Sequence, residues 1–172
     1  MGRILRIDLS NKKISSQPLT SEQAELFLGG RGLGAEILFR ELPRGINSLS
    51  PENKLIFATG PLTGTGAPTS GRYSVTTRSP LTGTIFDSNS GGHFGVQLKC
   101  SGWDAVVLEG RAERSSYIWM HDDITEIRNA DHIWGLSTHA TEDVVKSETD
   151  KDVRVACTTI TSGPSGRGIR MA

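Results

Sequence analysis

Two short segments carry residue types that could bind an anionic ligand. Thr69-Ser70-Gly71-Arg72-Tyr73 places an arginine after small residues, and its planar, permanently charged guanidinium suits a phosphate or a flat heteroaromatic ring. Asn89-Ser90-Gly91-Gly92 comes directly before a predicted helix, where main-chain N–H groups and the helix dipole favour an anion. A surface arginine at a strand start and an ordinary helix cap are the simpler alternatives.

A third glycine-rich segment, residues 30–35, matches the dinucleotide-binding pattern G-x-G-x-x-A. That pattern requires a strand directly before it and an acidic residue about 20 positions later. Residues 21–28 instead predict a helix, and Glu52 lies in a Ser-Pro turn. A glycine break between two packed helices is therefore favoured, whereas a dinucleotide site would require a parallel sheet with a strand ending near Gly29.

The remaining polar residues offer little further chemistry. His93 follows the second segment and could donate to a phosphate, although a partly exposed helix residue is the simpler interpretation. Cys100 and Cys157 are far apart and form no C-x-x-C pair, so the chain alone cannot build a four-cysteine iron–sulfur or zinc site. The sequence contains no H-E-x-x-H, P-loop or nucleophile–base motif.

Composition excludes several classes of partner. The 172 residues include 19 basic and 19 acidic side chains, so we expect neither nucleic-acid nor membrane binding by charge. No apolar run reaches the length of a membrane span, and the few cysteines suit a reducing cytoplasm. Many of the 20 glycines cluster at 29–34, 60–71 and 91–95, where positive-φ turns or a close approach of the main chain to a ligand would require them.

Strands dominate the framework that must position these segments. Alternation or short apolar runs predict strands at 3–9, 14–19, 54–59, 73–78, 84–87, 105–109, 117–120, 124–128 and 153–158. Apolar spacing and caps predict helices at 21–28, 33–42, 93–100 and 137–147, the first after a capping box of Thr20 and Gln23. Because the strands cluster instead of alternating with helices, the predicted fold class is α+β.

A series of strings, in order and spacing, resembles the amino-terminal domain of the tungsten-containing aldehyde ferredoxin oxidoreductases. Each string is weak alone, but together they cover nearly the whole chain. The strings are I-L-R-I-D-L-S (4–10), G-G-R-G-L (29–33), L-S-P-E-N-K-L (49–55), A-T-G-P-L-T-G (58–64), S-G-R-Y (70–73), S-P-L-T-G (79–83), N-S-G-G-H-F-G (89–95), G-W-D-A (102–105) and A-D-H-I-W-G (130–135).

The resemblance implies an α+β domain of two similar β-α-β units that forms the base for a bis-pterin cofactor, a tungstopterin or molybdopterin. It implies that Arg72 contacts a pterin. It also implies that Asn89, Ser90, Gly91 and Gly92 contact the cofactor phosphate and the magnesium bridging the pterins, with Asn89 binding magnesium through its backbone. The whole enzymes oxidise aldehydes to carboxylic acids and pass electrons through a [4Fe-4S] cluster to ferredoxin.

The family continues into two helical domains that carry the cluster cysteines and the substrate cavity. We therefore expect residues 1–172 to be a truncated amino-terminal domain, with 158–172 as a divergent tail, that depends on the missing carboxyl-terminal domains or on a second subunit. The leading hypothesis is a fragment of a cytoplasmic tungsten or molybdenum oxidoreductase. The alternative is a non-catalytic remnant, or a module that binds a pterin or its phosphate without turnover.

Overall fold

The computed structural model describes residues 2–122, 124–157 and 170–171, which belong to two compact units, 1–111 and 112–172. Local sequence signals explain much of unit 1. The Thr20 hydroxyl accepts from the Gln23 N–H, which forms the predicted capping box at the start of α1. The elements of unit 1 are β1 (Arg3–Asp8), β2 (Lys13–Pro18), α1 (Ser21–Phe27), α2 (Gly30–Glu41), β3 (Lys54–Thr59), β4 (Tyr73–Arg78), β5 (Ile85–Ser90), α3 (Phe94–Cys100) and β6 (Ala105–Glu109).

The six strands of unit 1 form one mixed sheet in the order β2-β1-β6-β3-β4-β5. Strands β1 and β6 are parallel, and the other neighbours are antiparallel. The central strand β6 is buried from Ala105 to Leu108, as its unbroken apolar run predicts for a strand covered on both faces. Strand β5 lies at an edge, and most of its residues are exposed.

Helix α2 covers one face of this sheet at close range. Gly34 permits the approach, because a Cβ at this position would stand 2.5 Å from the Thr76 hydroxyl oxygen on β4. Apolar side chains of the helix and of three strands bury one another in the core. That core cluster consists of Ile4, Leu33, Ile37, Leu38, Ile56, Ala58, Ala105 and Val107.

The turn between α1 and α2 differs from its predicted form. The break falls at Leu28 and Gly29, and Gly30-Arg31-Gly32 already forms the first turn of α2. The prediction that the second helix begins at Leu33 is therefore wrong. No strand ends near Gly29, so the dinucleotide-binding alternative is also wrong.

Unit 2 repeats the central topology of unit 1. Its sheet has the order β8-β7-β10-β9, with β7 and β10 parallel and the outer pairs antiparallel. In unit 1, β2-β1-β6-β3 has the same arrangement, and in both units a hairpin is followed by a helical segment. The elements are β7 (Ser116–His121), β8 (Ile124–Asn129), a 3₁₀ turn (Asp131–Ile133), α4 (Thr138–Glu148), β9 (Ala156–Cys157) and β10 (Arg170–Met171).

The predicted α+β class with two similar units is therefore confirmed. Strand β9 is shorter than predicted, since its described part begins at Ala156. Most of the predicted divergent tail, 158–172, lies outside the described residues. Across the described ranges, no helix is both long and apolar enough to cross a membrane.

Candidate functional site

Arg72 lies at the end of the long loop from β3 to β4, and Thr63 holds that loop in place. The buried Thr63 hydroxyl accepts from the Gly60 N–H at 3.0 Å and donates to the Arg72 carbonyl at 3.1 Å. The Arg72 side chain is exposed, and its guanidinium contacts no acceptor among the described residues. The main chain of this residue is thus fixed, while all five N–H donors of the side chain face solvent.

Glycines join the arginine loop to the turn that follows β5. A Cβ on Gly71 would stand 2.9 Å from the Gly92 carbonyl oxygen, and one on Gly95 would stand 3.1 Å from the Gly71 carbonyl oxygen. Main chain therefore packs directly on main chain here, which only glycine permits. The two segments that the sequence singled out separately are in contact.

Three aromatic rings hold this junction against the sheet. Tyr73 follows Arg72 directly and packs against Phe94, with ring centroids 5.0 Å apart. Both rings also contact Phe57 on β3, each with a centroid separation of 6.2 Å. All three side chains are buried, so the aromatic cluster fixes the start of β4 relative to the start of α3.

Asn89 and Ser90 lie in edge strand β5, not in a loop before a helix as predicted. Asn89 pairs with Ser74 across the sheet, and its side-chain oxygen accepts from the Ser74 hydroxyl at 3.0 Å. Its amide donates to the Asp87 carboxylate at 3.2 Å. These contacts fix the side chain of Asn89 beside the Ser74 hydroxyl and the Asp87 carboxylate.

The turn after β5 is formed by Gly91 and Gly92 alone, with Gly92 at φ +87°. His93 is the cap of α3, adopts a helical conformation and makes no capping hydrogen bond through its side chain. Because α3 has only seven residues, its dipole contributes less to anion binding than the sequence suggested. His93 is exposed, which agrees with the simpler of its two interpretations.

Arg72 and Asn89 line one pocket of about 400 Å³, hereafter the arginine pocket. Gly30, at the start of α2, lines it as well, and a Cβ there would stand 3.4 Å from the Ser74 hydroxyl oxygen. Ser90, Gly91 and Gly92 do not line the pocket. The structure thus brings the glycine-rich segment 30–35 to the same pocket as Arg72 and Asn89. The sequence had assigned this segment no role in the site.

The arginine pocket has further walls that sequence reasoning missed. Ser74 and Thr63 carry polar atoms into its surroundings, and Thr69, the first residue of the predicted arginine segment, lines it with a left-handed φ of +59° that the sequence did not predict. Such a conformation costs a non-glycine residue about 1–3 kcal/mol and is enriched at ligand sites. The alternating pattern of β4 could have placed Ser74 beside the arginine, but nothing local marks the conformation of Thr69.

The charged side chains around the pocket determine whether it could hold a metal ion. In the described ranges, no group of three or more His, Cys, Asp or Glu side chains converges on one point. Asp87 is the acidic side chain hydrogen-bonded to Asn89, and Arg72 supplies positive charge within the same pocket. This combination can bind an anion on the arginine and a hard cation on the neighbouring oxygens.

Known proteins resemble the chain over most of its length. A sequence profile for "Aldehyde ferredoxin oxidoreductase, N-terminal domain" matches residues 4–168. A tungsten-containing aldehyde ferredoxin oxidoreductase of Pyrococcus abyssi is 48% identical over 96% of this chain and 27% of that protein. An aliphatic sulfonate oxidoreductase, WOR-like subunit, of Pyrococcus furiosus is 32% identical over 89% of this chain and 25% of that protein.

A solved structure shares the fold. The active-site complex BamBC of benzoyl coenzyme A reductase superposes with a TM-score of 0.87 at 34% identity, over 92% of this chain and 24% of the other. The chain thus spans about a quarter of the length of these relatives. The profile match and the level of identity show that the chain belongs to the aldehyde ferredoxin oxidoreductase family, in the part that corresponds to the amino-terminal domain.

Proposed function

We propose that this chain is the pterin-cofactor-binding part of a tungsten or molybdenum oxidoreductase that converts aldehydes to carboxylic acids. Electrons would pass to ferredoxin through a [4Fe-4S] cluster carried by other domains or by a second subunit. The observation that carries the proposal is the convergence of Arg72, with no partner among the described residues, and Asn89 in one pocket. The relatives named for tungsten and aldehyde oxidation support the choice of cofactor and substrate class.

The pocket fits the chemistry of a pterin that carries a phosphate. The planar guanidinium of Arg72 would bind the phosphate or stack on the ring, since it can donate two parallel hydrogen bonds and stays charged at any working pH. The backbone carbonyl of Asn89 would be the ligand that this chain offers to a magnesium ion of the cofactor. Ser90, Gly91 and Gly92 would present main-chain N–H groups to the phosphate.

When bound, the cofactor would supply the metal that accepts electrons from the substrate. The residues described above would bind and orient the cofactor. Thr63 would hold the main chain of Arg72, and Ser74 with Asp87 would hold Asn89. The chain would need further polypeptide for turnover, because the proposed substrate cavity and cluster lie outside it.

The first experiment is tungsten, molybdenum and pterin analysis of the protein purified anaerobically from its native host. We expect a near-stoichiometric metal with pterin, and co-purification of the chain that carries the cluster. Absence of both metal and pterin would favour the alternative, a non-catalytic remnant. Pterin without a redox-active metal would favour a binding module.

The second experiment tests the site by substitution. Arg72→Ala should lower pterin content at least about tenfold, because a charge-assisted hydrogen bond contributes about 1.5–3 kcal/mol. Arg44→Ala is the matched control. Arg44 is exposed and follows the carboxyl-terminal end of α2, whereas Gly30 lies at the amino-terminal end. The helix between them is about 18 Å long at 1.5 Å per residue. Equal loss in both variants would contradict the assigned role of Arg72.

A further inference from the structure

A second pocket of about 310 Å³ lies beside the arginine pocket and shares Pro61 with it. Gly29 and the start of α1 form part of its wall, and Lys99 and Asp104 line it too. We call it the ion-pair pocket, because Lys99 and Asp104 are hydrogen-bonded to each other. Neither residue has a part in the proposed cofactor site.

Lys99 is a buried cation with unused donors. Its side chain is 5% exposed, and its ammonium donates to one oxygen of Asp104. An ammonium carries three N–H donors, and within the described residues Asp104 is the sole acceptor that Lys99 contacts. A buried donor without an acceptor destabilises a protein by about 1–3 kcal/mol, so an acceptor in the pocket, from solvent or from a ligand, would stabilise Lys99 in this position.

Both oxygens of Asp104 already accept hydrogen bonds. Its second oxygen accepts from the main-chain N–H groups of Gly2 and Arg3. Burial raises the pKa of Asp104, but the hydrogen bonds from Lys99 and Gly2 lower it by more, so the pKa lies below its ordinary value. The carboxylate is therefore ionised, and the ion pair is neutral as a whole. An additional anion or cation would bury an uncompensated charge, which is unfavourable.

The rest of the wall combines apolar side chains with Thr20, Ser21 and Thr59, and the turn at Leu28 and Gly29 is fixed in shape. Leu28 lines the pocket, is 68% exposed and adopts φ +60°. The two residues on either side of it are hydrogen-bonded, because the Gly29 N–H donates to the Phe27 carbonyl at 2.6 Å. This three-residue turn is strained for leucine. It is enforced from the other side, because a Cβ on Gly29 would stand 2.6 Å from the Thr59 carbonyl oxygen. Ala24 and Leu33 add further apolar surface.

We propose that the ion-pair pocket binds a small uncharged molecule whose carbonyl or hydroxyl oxygen accepts hydrogen bonds from the Lys99 ammonium. The apolar body of this ligand would lie against Ala24, Leu28 and Leu33. The volume lies at the lower end of the range of about 300–1,000 Å³ found for small-molecule sites, so the ligand has few carbon atoms. This site goes beyond the proposed cofactor binding and uses neither Arg72 nor Asn89.

The test is an NMR titration of the ¹⁵N-labelled full chain with three probes of similar size and different charge. Isobutyramide offers an uncharged acceptor, isobutyrate an anion and isobutylamine a cation. We expect a saturable shift of the Gly29 amide and of the Lys99 ammonium with isobutyramide, at an apparent Kd at least tenfold below those of the other two. No saturable shift, or equal shifts with all three probes, would mean that only water occupies the pocket and would overturn the proposal.

Two variants assign the binding to the pocket. Lys99→Met removes the donors, but it also leaves Asp104 buried without its partner and can unfold the chain. Ala24→Leu instead fills the pocket from α1 without touching the ion pair, and it should abolish the isobutyramide shift while the dispersion of the spectrum is kept. An unchanged titration in a folded Ala24→Leu variant would contradict the site. Because the titration does not involve Arg72 or Asn89, either proposal can fail without the other.

Discussion

At the scale of single residues, glycines decide whether the arginine pocket exists. Gly71 lies against the Gly92 carbonyl, and this contact joins the arginine loop to the turn after β5. Thr63 adds a polar link from the same loop to the main chain of Arg72. Both contacts are made to main-chain carbonyls and leave the Arg72 guanidinium free for a ligand, yet both determine where Arg72 lies.

Gly71→Ala should destabilise the chain by about 1–3 kcal/mol, as expected for overpacking in a close contact. The new Cβ would stand 2.9 Å from a carbonyl oxygen, so the turn after β5 must move. Gly66→Ala, in the same loop, is the control, because a Cβ there meets nothing within 4 Å. Urea unfolding of both variants provides the measurement, and equal stability would show that the loops are not in contact.

Asp104 should make the chain sensitive to acid. Its pKa in the folded state is lowered from the ordinary 3.8, because hydrogen bonds from Lys99 and Gly2 outweigh the effect of burial. A lowered pKa stabilises the fold above the unfolded value, and that stability is lost as pH falls through the folded pKa. We expect the contribution of this group to be constant from pH 7 to about pH 5 and to fall below about pH 4.

Asp104→Asn tests this expectation through urea unfolding between pH 2 and pH 7. At neutral pH the variant should be less stable by about 3–5 kcal/mol, because Lys99 then lacks its counter-charge. Below pH 4 its stability should fall less steeply than that of the unsubstituted chain. Parallel curves at acidic pH would contradict the role of Asp104.

At the scale of elements, the distance between α2 and β4 positions Gly30 at the arginine pocket. Gly34 sets that distance, because its missing side chain leaves room for Thr76. The Thr76 hydroxyl is buried and makes no hydrogen bond within the described structure. At Gly34 the helix therefore approaches β4 through a steric fit and not through a hydrogen bond of the Thr76 side chain.

Gly34→Ala should destabilise the chain, although alanine is favoured over glycine inside a helix by about 1 kcal/mol. The clash with Thr76 at 2.5 Å would push α2 away from β4 and open the arginine pocket. Adding Thr76→Ala should restore part of the loss, since it removes the hydroxyl at 2.5 Å and the methyl at 3.3 Å but keeps the Cβ at 2.8 Å. A double-mutant cycle by urea unfolding measures this coupling, and strictly additive effects would contradict the steric account.

At the scale of the whole molecule, the two units share one topology but differ in what they add to it. Unit 1 inserts β4, β5 and α3 between β3 and β6, and this insertion carries Arg72 and Asn89. All six strands of its sheet lie within residues 1–111. The arginine pocket is therefore built entirely from unit 1.

A fragment of residues 1–111 should fold by itself, because each strand of the six-stranded sheet finds its partners inside it. Circular dichroism and amide hydrogen exchange provide the measurement, with protection expected in β6 and β3. The fragment of residues 112–172 is the comparison, and we expect it to be less stable because its sheet, as far as it is described, has four strands, two of them with two described residues each. An unfolded 1–111 fragment would show that unit 2 is required.

The sequence alone determined the family, the α+β class and most element positions, because alternation, caps and short strings are local properties. It also singled out Arg72 as a candidate, since an arginine after small residues is visible without a fold. Only the tertiary structure placed Asn89 on an edge strand beside Ser74, and only it brought Gly30 to the same pocket. These contacts depend on strand register and helix docking, which residues far apart in sequence decide together. The pocket beside the Lys99–Asp104 pair depends on the same long-range packing, since residues from Gly2 to Asp104 line it.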